Sequence, residues 1–295
     1  MIYLHNHTGN HVEKRLWLVF VISVSVFLLE IIGGVLSNSL ALISDSFHVM
    51  LDFTAIGISL IAFRIAKKAP SPKLSFGFHR AEIVAALING ITLILVSVFI
   101  FYESYKRFLE PQAVQTDTLL VFAVAGFAAN IAMMVLLKKD SHSNLNIKGS
   151  YTHVFGDMLS SIGVIAGAII MIFTDYPIID PIVSVGIGIL IVRSGIMLCK
   201  ECTHIFMEGA PREIKMESVS EEIEGLEEVS EVHDLHIWTL TSNVFAMSAH
   251  VKIKQEYVPQ TNNLLRKINE VLKEKFGINH CTVQIEHDLI NPDKK

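Results

Sequence analysis

Hydrophobic residues along this chain of 295 residues follow two patterns, which meet near residue 200. Before that point, long apolar runs alternate with short polar segments. Six runs have about 20 residues each, enough to cross a ~30 Å hydrocarbon core as helices. They extend approximately from Leu16 to Leu36, Leu40 to Phe63, Ile83 to Tyr102, Thr118 to Leu137, Val154 to Phe173 and Ile178 to Cys199. The pattern predicts an all-α domain of six transmembrane helices.

Beyond Cys202 the apolar residues come in short alternating stretches, which predict an α+β domain with the order α-β-β-α-β. The predicted elements are a helix from Arg212 to Ile223, strands from Val232 to Leu240 and Val244 to Ile253, an amphipathic helix, and a strand from Cys281 to Glu286. Apolar residues recur at helical spacing in the amphipathic helix, and Gly277 is placed to end it. About 90 residues form a small core, so we expect this domain to pair with a second copy in a homodimer.

The chain therefore divides into a tail at residues 1–15, a transmembrane domain at 16–202 and a soluble C-terminal domain at 203–295. The first apolar run is too long for a cleaved signal peptide. Alternate loops carry the positive charge, which places them and both termini in the cytoplasm of a multi-pass cell-membrane protein. Lys106 and Arg107, in one of the other connections, are the exception.

Composition agrees with a membrane protein: 51% of residues are hydrophobic, only 18% are charged, and the mean hydropathy is +0.48. The net charge of -5 gives no basic surplus for binding nucleic acid. Three cysteines form no disulfide framework, which fits a reducing compartment, and the lone pair Cys199/Cys202 is a weak zinc signal.

Two predicted membrane helices each carry a histidine followed four residues later by an aspartate. The pairs are His48/Asp52 in the second run and His153/Asp157 at the start of the fifth. Positions i and i+4 lie on one helix face, so each pair offers one imidazole nitrogen and one carboxylate oxygen to a common point. Two such helices facing each other would supply four ligands.

Two nitrogens and two oxygens in a tetrahedral arrangement suit Zn²⁺, whereas Mg²⁺ and Ca²⁺ take six or more oxygens. Ligand type does not separate zinc from Co²⁺, Ni²⁺ or Cu²⁺, and Cd²⁺ shares the geometry. We expect zinc as the transported substrate, and no organic cofactor.

A single pair of this kind could simply be a hydrogen-bonded contact between helices. The presence of two matched pairs favours a metal site over that interpretation. Asp45 shares the face of His48 and is expected to orient the imidazole or line an entry route, although a fifth ligand and a helix-start residue are alternatives. Glu30, Asn89 and Asn130 are isolated polar residues, interpreted as interhelical hydrogen-bonding groups rather than ligands.

Five segments together resemble the cation diffusion facilitators, in particular their bacterial zinc/cadmium/cobalt branch. They are Leu42 to His48, Ser75 to Glu82, Gly149 to Gly163, Asp180 to Ile182 and His233 to Trp238. The resemblance covers nearly the whole chain. It implies a homodimeric exporter that exchanges zinc for protons by alternating access, with a transport site of His48, Asp52, His153 and Asp157. Such exchange is chemically reasonable because metal ligands must be deprotonated to bind. The resemblance also implies that the cytoplasmic domain is metallochaperone-like.

The chain departs from some relatives in the loop after the second span, where Leu74 and Phe78 occupy positions that hold histidines elsewhere, so we expect no metal site there. In the soluble domain, His250, His280 and Glu286 match ligand positions of one branch, and His233 and Asp288 match another. Either set would bind zinc as a regulatory ligand. The alternative is that these are exposed polar residues of strands.

Two other classes of function compete with a transporter. An intramembrane metal-dependent hydrolase would need an open coordination position, and the chain has no His-Glu-x-x-His motif. A membrane-tethered metal sensor would leave the doubled motif without a purpose. We therefore expect a transporter, not an enzyme, whose partners are divalent metal ions, protons, the lipid bilayer and a second copy of the chain.

Overall fold

The computed structural model describes the backbone of residues 8–66, 71–138, 145–241 and 244–287. Within these ranges, the side chains of 8–17, 52, 55–64, 66, 145–150 and 152–153 are not described. Two compact units emerge, one formed by Met1–Leu60 and Ile88–Leu198, the other by Ile61–Leu87 and Cys199–Lys295.

Long helices dominate the first two thirds of the chain. They are α1 (Thr8–Ser37), α2 (Leu40–Ala66), α3 (Ala81–Leu109), α4 (Thr116–Lys138), α5 (Leu145–Thr174) and α6 (Ile179–Phe206). Among the described residues, five of these helices are long and apolar enough to cross a membrane. The remaining helix, α2, has an apolar described portion at Leu40–Leu51, and its 27 residues extend about 40 Å. The predicted helical membrane domain is confirmed.

Large apolar side chains face outward over much of this helical domain. Val35, Leu95 and Val121 are more than 60% exposed, and Phe173 is 85% exposed. A water-soluble monomer rarely exposes so much contiguous apolar surface, whereas a lipid bilayer would cover it. The structure thus defines a multi-pass membrane protein.

Several helices continue beyond the predicted apolar runs. The run from Ile83 to Tyr102 became a helix that extends to Leu109, and the first helix begins at Thr8 rather than at Leu16. An apolar run reports only the part of a helix that lies in hydrocarbon, while the backbone keeps its hydrogen bonds in the interfacial region.

Helix α4 packs against both α5 and α1. Two glycines allow α1 and α4 to approach closely: a Cβ atom on Gly33 would lie 2.3 Å from the Phe122 ring, and one on Gly126 would lie 2.7 Å from Glu30 Oε1. Small residues commonly serve this purpose between membrane helices. The second contact brings α4 against the carboxylate of Glu30.

A buried polar cluster joins the α1–α2 turn to α3 and α6. The carboxylate of Asp180 accepts hydrogen bonds from Ser39 Oγ at 2.5 Å and from the first backbone N–H groups of α2, at 2.8 Å from Leu40 and 3.3 Å from Ala41. Arg107 Nη1 lies 3.5 Å from Asp180 Oδ2 and donates to the Asn38 carbonyl at 2.7 Å. Asp180 therefore satisfies the otherwise unpaired amide groups at the start of α2.

This cluster explains the two cations that interrupted the charge pattern of the loops. Arg107 is buried, with 7% exposure, and lies inside α3 rather than in a loop. Lys106, one residue earlier, forms an exposed ion pair with Glu103 at 3.4 Å. Arg107 is therefore half of an internal ion pair and carries no information about loop orientation.

The C-terminal domain has the predicted α-β-β-α-β order. Its elements are α7 (Met216–Glu224), β1 (Val229–Thr241), β2 (Val244–Ile253), a short 3₁₀ helix (Gln255–Gln260), α8 (Thr261–Phe276) and β3 (Ile278–Glu286). β1 pairs antiparallel with β2, which pairs parallel with β3. Gly277 ends α8 as predicted, with φ at 69° and its N–H bonded to the carbonyls of Leu272 and Lys273. The first helix of this domain, α7, begins at Met216, whereas the sequence predicted a start at Arg212.

The two faces of the three-stranded sheet differ. Alternate residues of β2, namely Met247, Ala249, Val251 and Ile253, are buried in a core shared with α7 and α8. The intervening residues, including His250, point to the opposite face and are only partly buried. Since side chains alternate along a strand, polar residues of the other strands opposite His250 share this face, which is turned away from α7 and α8.

Candidate metal centres

The structure brings the second and fifth helices together at the predicted ligands. His48 Nε2 of α2 lies 3.5 Å from Asp157 Oδ1 of α5, although the two residues are 109 positions apart. The side chain of Asp157 is 8% exposed and that of His48 is 19% exposed. An imidazole nitrogen and a carboxylate oxygen from two facing helices therefore lie close enough to share one ion.

The other two predicted ligands belong to the same helices, but their side chains lie outside the described residues. The backbone is helical at both Asp52 and His153. Asp52 is four residues from His48, and His153 is four residues from Asp157, so each lies about one turn along the helix on the same face. Their part in the site stays a prediction from spacing.

Asp45 is buried and bonded to serines of α5. Its Oδ1 accepts a hydrogen bond from Ser160 Oγ, and its Oδ2 accepts one from Ser161 Oγ at 3.4 Å. Ser161 in turn accepts a hydrogen bond from Asn130 Nδ2 of α4 at 3.2 Å. The polar network therefore joins α2, α5 and α4 beside the His48/Asp157 pair.

Ser160 and Ser161 were not singled out from the sequence. They follow Asp157 by three and four residues, so helical spacing places them on its face, and that spacing was the available signal. Serine is common inside membrane helices, where it usually bonds to its own backbone, as Ser44 does here.

Of the isolated polar residues in the spans, Asn130 forms the predicted interhelical hydrogen bond. Glu30 differs: it is 1% exposed, and its Oε2 has no hydrogen-bond partner among the described residues. For that oxygen, the hydrogen-bonding role stays a prediction. Asn89 is buried as well, at 8% exposure.

A second cluster lies on the face of the sheet that is turned away from α7 and α8. His233, His250 and Glu286 each offer a ligand atom within 4.8 Å of the others. Glu286 Oε2 is 3.0 Å from His233 Nε2, and Glu286 Oε1 is 2.9 Å from His250 Nδ1. Strand pairing explains this arrangement, since His233 is opposite His250 and Glu286 is on the adjacent strand.

Glu286 is held in its ionised form at neutral pH. Burial alone would raise its pKa, but hydrogen bonds from Gln284 and His233 and the nearby imidazoles of His233 and His250 outweigh that effect and lower the pKa below its ordinary value. An ionised carboxylate between two imidazoles is a suitable donor set for a divalent cation.

His280, which the sequence placed in this ligand group, lies elsewhere. It pairs with Ala246 at the other end of β3, six residues and thus about 20 Å from Glu286. Its ring contacts Phe76 with the centroids 6.4 Å apart. The structure therefore does not bring His280 to the cluster, and Asp288 lies outside the described residues.

Asp234 and His236 border the cluster and were not predicted as site residues. Asp234 Oδ1 lies 3.0 Å from His236 Nε2, and Asp234 Oδ2 lies 3.7 Å from His250 Nε2. The backbone of Asp234 has a φ of 49°, within an irregularity in the pairing of β1 between His233 and His236. This bulge keeps His233 and His236 on the same face of the sheet although they are three residues apart.

The fold and these clusters define a multi-pass membrane protein with candidate metal ligands in its helical domain and on its C-terminal α+β domain. The cation efflux transmembrane domain family matches residues 16–207, and the cytoplasmic domain of cation efflux proteins matches residues 211–288. The chain belongs to the cation efflux family.

Two relatives match nearly the whole chain. A "Cadmium, cobalt and zinc/H(+)-K(+) antiporter" of Bacillus velezensis is 42% identical over 98% of this chain and 93% of its own length. The "Zinc transporter ZitB" of Pectobacterium atrosepticum is 37% identical over 99% of this chain and 91% of its own length. Among solved structures, the metal-bound C-terminal domain of a CzcD transporter from Cupriavidus metallidurans is 33% identical over 25% of this chain and 99% of that domain, with a TM-score of 0.23.

Proposed function

We propose that the protein exports divalent metal ions, zinc first among them, from the cytoplasm in exchange for protons. The observation that carries the proposal is the 3.5 Å approach of His48 Nε2 to Asp157 Oδ1, between two helices that each contain a His-x-x-x-Asp motif. The names of the two relatives, a zinc transporter and a cadmium, cobalt and zinc antiporter, support the same cargo. Cd²⁺ and Co²⁺ are alternative ions.

The proposed transport site consists of His48, Asp52, His153 and Asp157. Two nitrogens and two oxygens satisfy tetrahedral zinc, and all four donors come from two helices, so a change in the packing of those helices would change the site. Protons and metal compete for the same lone pairs, which couples their movements in opposite directions across the membrane. Asp45, bonded to Ser160 and Ser161, acts by fixing α2 against α5 rather than as a ligand.

Transport is tested by placing the purified protein in liposomes that contain a zinc-sensitive dye and imposing a pH gradient. The parent should show proton-dependent zinc influx, and Asp52→Ala and Asp157→Ala should each lower it at least ~100-fold because a ligand is lost. Asp117→Asn, at an exposed acid in the first turn of α4, is the matched control. Absence of flux from well-folded parent protein would overturn the proposal in favour of a sensor.

The proposal extends to the organisation of the molecule. We place residues 1–15, the tail, and residues 203–295, the soluble domain, in the cytoplasm, with residues 16–202 crossing the cell membrane. The positive charge of alternate loops supports this orientation. The match of residues 211–288 to the cytoplasmic domain of cation efflux proteins supports it as well. A homodimer in which the soluble domains pair is the proposed assembly.

We further propose that His233, His250 and Glu286 bind a regulatory zinc ion when cytoplasmic metal rises. Their donor atoms already lie within 4.8 Å of one another, so little rearrangement is needed for binding. Asp288, two residues beyond Glu286, remains a further candidate ligand. Because the pKa of Glu286 is lowered, its carboxylate is ready to bind a metal ion at neutral pH.

Zinc content separates this site from the membrane site. In full-length protein carrying His48→Ala, His250→Ala should abolish the remaining tightly bound zinc, measured by elemental analysis after dialysis. His280→Ala is the matched control, because it removes a histidine from the same domain about 20 Å away and should leave the zinc content unchanged. Equal zinc in both variants would show that the cluster consists of ordinary strand residues.

A further inference from the structure

Glu30 is a buried acid that the proposed transport site does not use. It lies in α1, within the membrane-spanning stretch Leu18–Ser37, and is only 1% exposed. Its chain neighbours Leu29 and Ile31 are apolar. An ionisable residue inside a membrane helix is costly and usually has a function.

Among the described residues, little around Glu30 stabilises a negative charge. Its Oε1 faces Gly126 of α4 so closely that a Cβ atom there would lie 2.7 Å away. Its Oε2 is buried and has no hydrogen-bond partner among the described residues. A carboxyl group in such a place carries a proton rather than a charge.

The titratable groups near Glu30 also favour its protonated form. Asp45 of α2 and Asp157 of α5 both act on it electrostatically, and both are acids. His48 interacts with these two aspartates, and α4 contributes the uncharged Gly126 and Asn130. Two serines stabilise Asp45, whereas the described residues provide no comparable donor for Glu30, so Glu30 is the member of this group best suited to hold a proton.

We propose that Glu30 carries a proton that the protein exchanges for the metal ion. The inference rests on the proposed antiport. When a divalent cation binds at His48 and Asp157 from the cytoplasmic side, its charge favours the carboxylate, and the Glu30 O–H bond breaks to release H⁺ to cytoplasmic water. When the cation leaves on the other side, the carboxylate takes up H⁺ from external water. Glu30 does not bind the metal. The proton that it holds while the metal site is empty replaces part of the positive charge of the ion.

The number of protons released per zinc ion bound tests this assignment. Glu30→Gln imitates the protonated acid and cannot release a proton, so the variant should bind zinc and release about one proton fewer than the parent. The slope of log Kd for zinc against pH should fall by about one, which is a tenfold smaller change in affinity per pH unit. Both proteins would carry Glu286→Gln, so that the soluble-domain cluster does not contribute.

Two further variants make the result decisive. Glu30→Asp keeps an acid at the position and should retain the parent's proton release, and Glu110→Gln, at an exposed acid beyond the end of α3, should behave as the parent does. Unchanged proton release in Glu30→Gln would overturn the inference. Loss of zinc binding in both the Gln and Asp variants, with normal thermal unfolding, would also overturn it, because Glu30 would then belong to the metal site. Failure of the parent to transport zinc against a pH gradient would instead contradict the proposed function.

Discussion

Replacement of His48 by alanine is expected to lower zinc transport by about a hundredfold or more, with the fold of the protein intact. The imidazole supplies one of four proposed donors and is the group whose approach to Asp157, at 3.5 Å, joins α2 to α5 at the site. Without it, zinc keeps at most three protein ligands, so binding weakens before transport begins. Initial rates of zinc uptake into liposomes, measured over a range of zinc concentrations, give the effect.

His79→Ala is the control for removal of a histidine. His79 lies in the connection between α2 and α3, where the sequence provides no companion histidines at positions 74 and 78. Its replacement should leave at least half of the parental rate. If His48→Ala transported zinc as the parent does, the two-helix site would be wrong, whatever the rate of the control variant.

Asp180→Ala should produce the largest loss of stability, roughly 3 to 5 kcal/mol in the free energy of unfolding. The substitution leaves buried Arg107 with only the 3.6 Å approach of its Nε to Glu103 Oε1, and it removes the acceptor for Ser39 Oγ and for the first N–H groups of α2. The energetic reason is that an unpaired charge in a low-dielectric interior costs more than the pair contributes. Unfolding of purified protein in mixed detergent micelles, followed by helical circular dichroism, measures the change.

A neighbouring ion pair offers the matched control. Lys106→Met removes the exposed partner of Glu103, one residue from Arg107, and should cost under about 1 kcal/mol. Combining Asp180→Leu with Arg107→Met removes both charges and should recover much of the stability lost by Asp180→Ala, apart from the share due to the amide groups of α2. Equal losses for Asp180→Ala and Lys106→Met would indicate that the buried pair is unimportant.

The outcome at Asp180 also bears on the transport site. Asp180 holds the first residues of α2, and His48 lies on that helix about two turns later. A helix whose start is free to shift presents its ligands less accurately. For this reason transport measurements on variants of Asp180 need to be compared at equal amounts of folded protein.

Much of the architecture was determined by the sequence alone. Apolar runs of about 20 residues can form only helices in a bilayer, because backbone groups there must bond within their own segment. Four-residue spacing in the His-x-x-x-Asp motifs fixes which side chains share a helix face. Gly277 was identifiable as a helix end because glycine commonly ends helices in the left-handed conformation. The observed φ of 69° is in that region.

Tertiary structure decided which of these faces meet. The contact between His48 and Asp157, the bonds from Ser160 and Ser161 to Asp45, and the closeness of Gly126 to Glu30 join residues far apart in the chain. Arg107, which resembled a misplaced loop charge, proved to be the partner of Asp180. In the soluble domain, strand register separated His280 from Glu286, and a bulge at Asp234 aligned His233 with His236. Local spacing fixes the direction of a side chain from its own element, whereas its partner depends on how the elements pack, which no local pattern records.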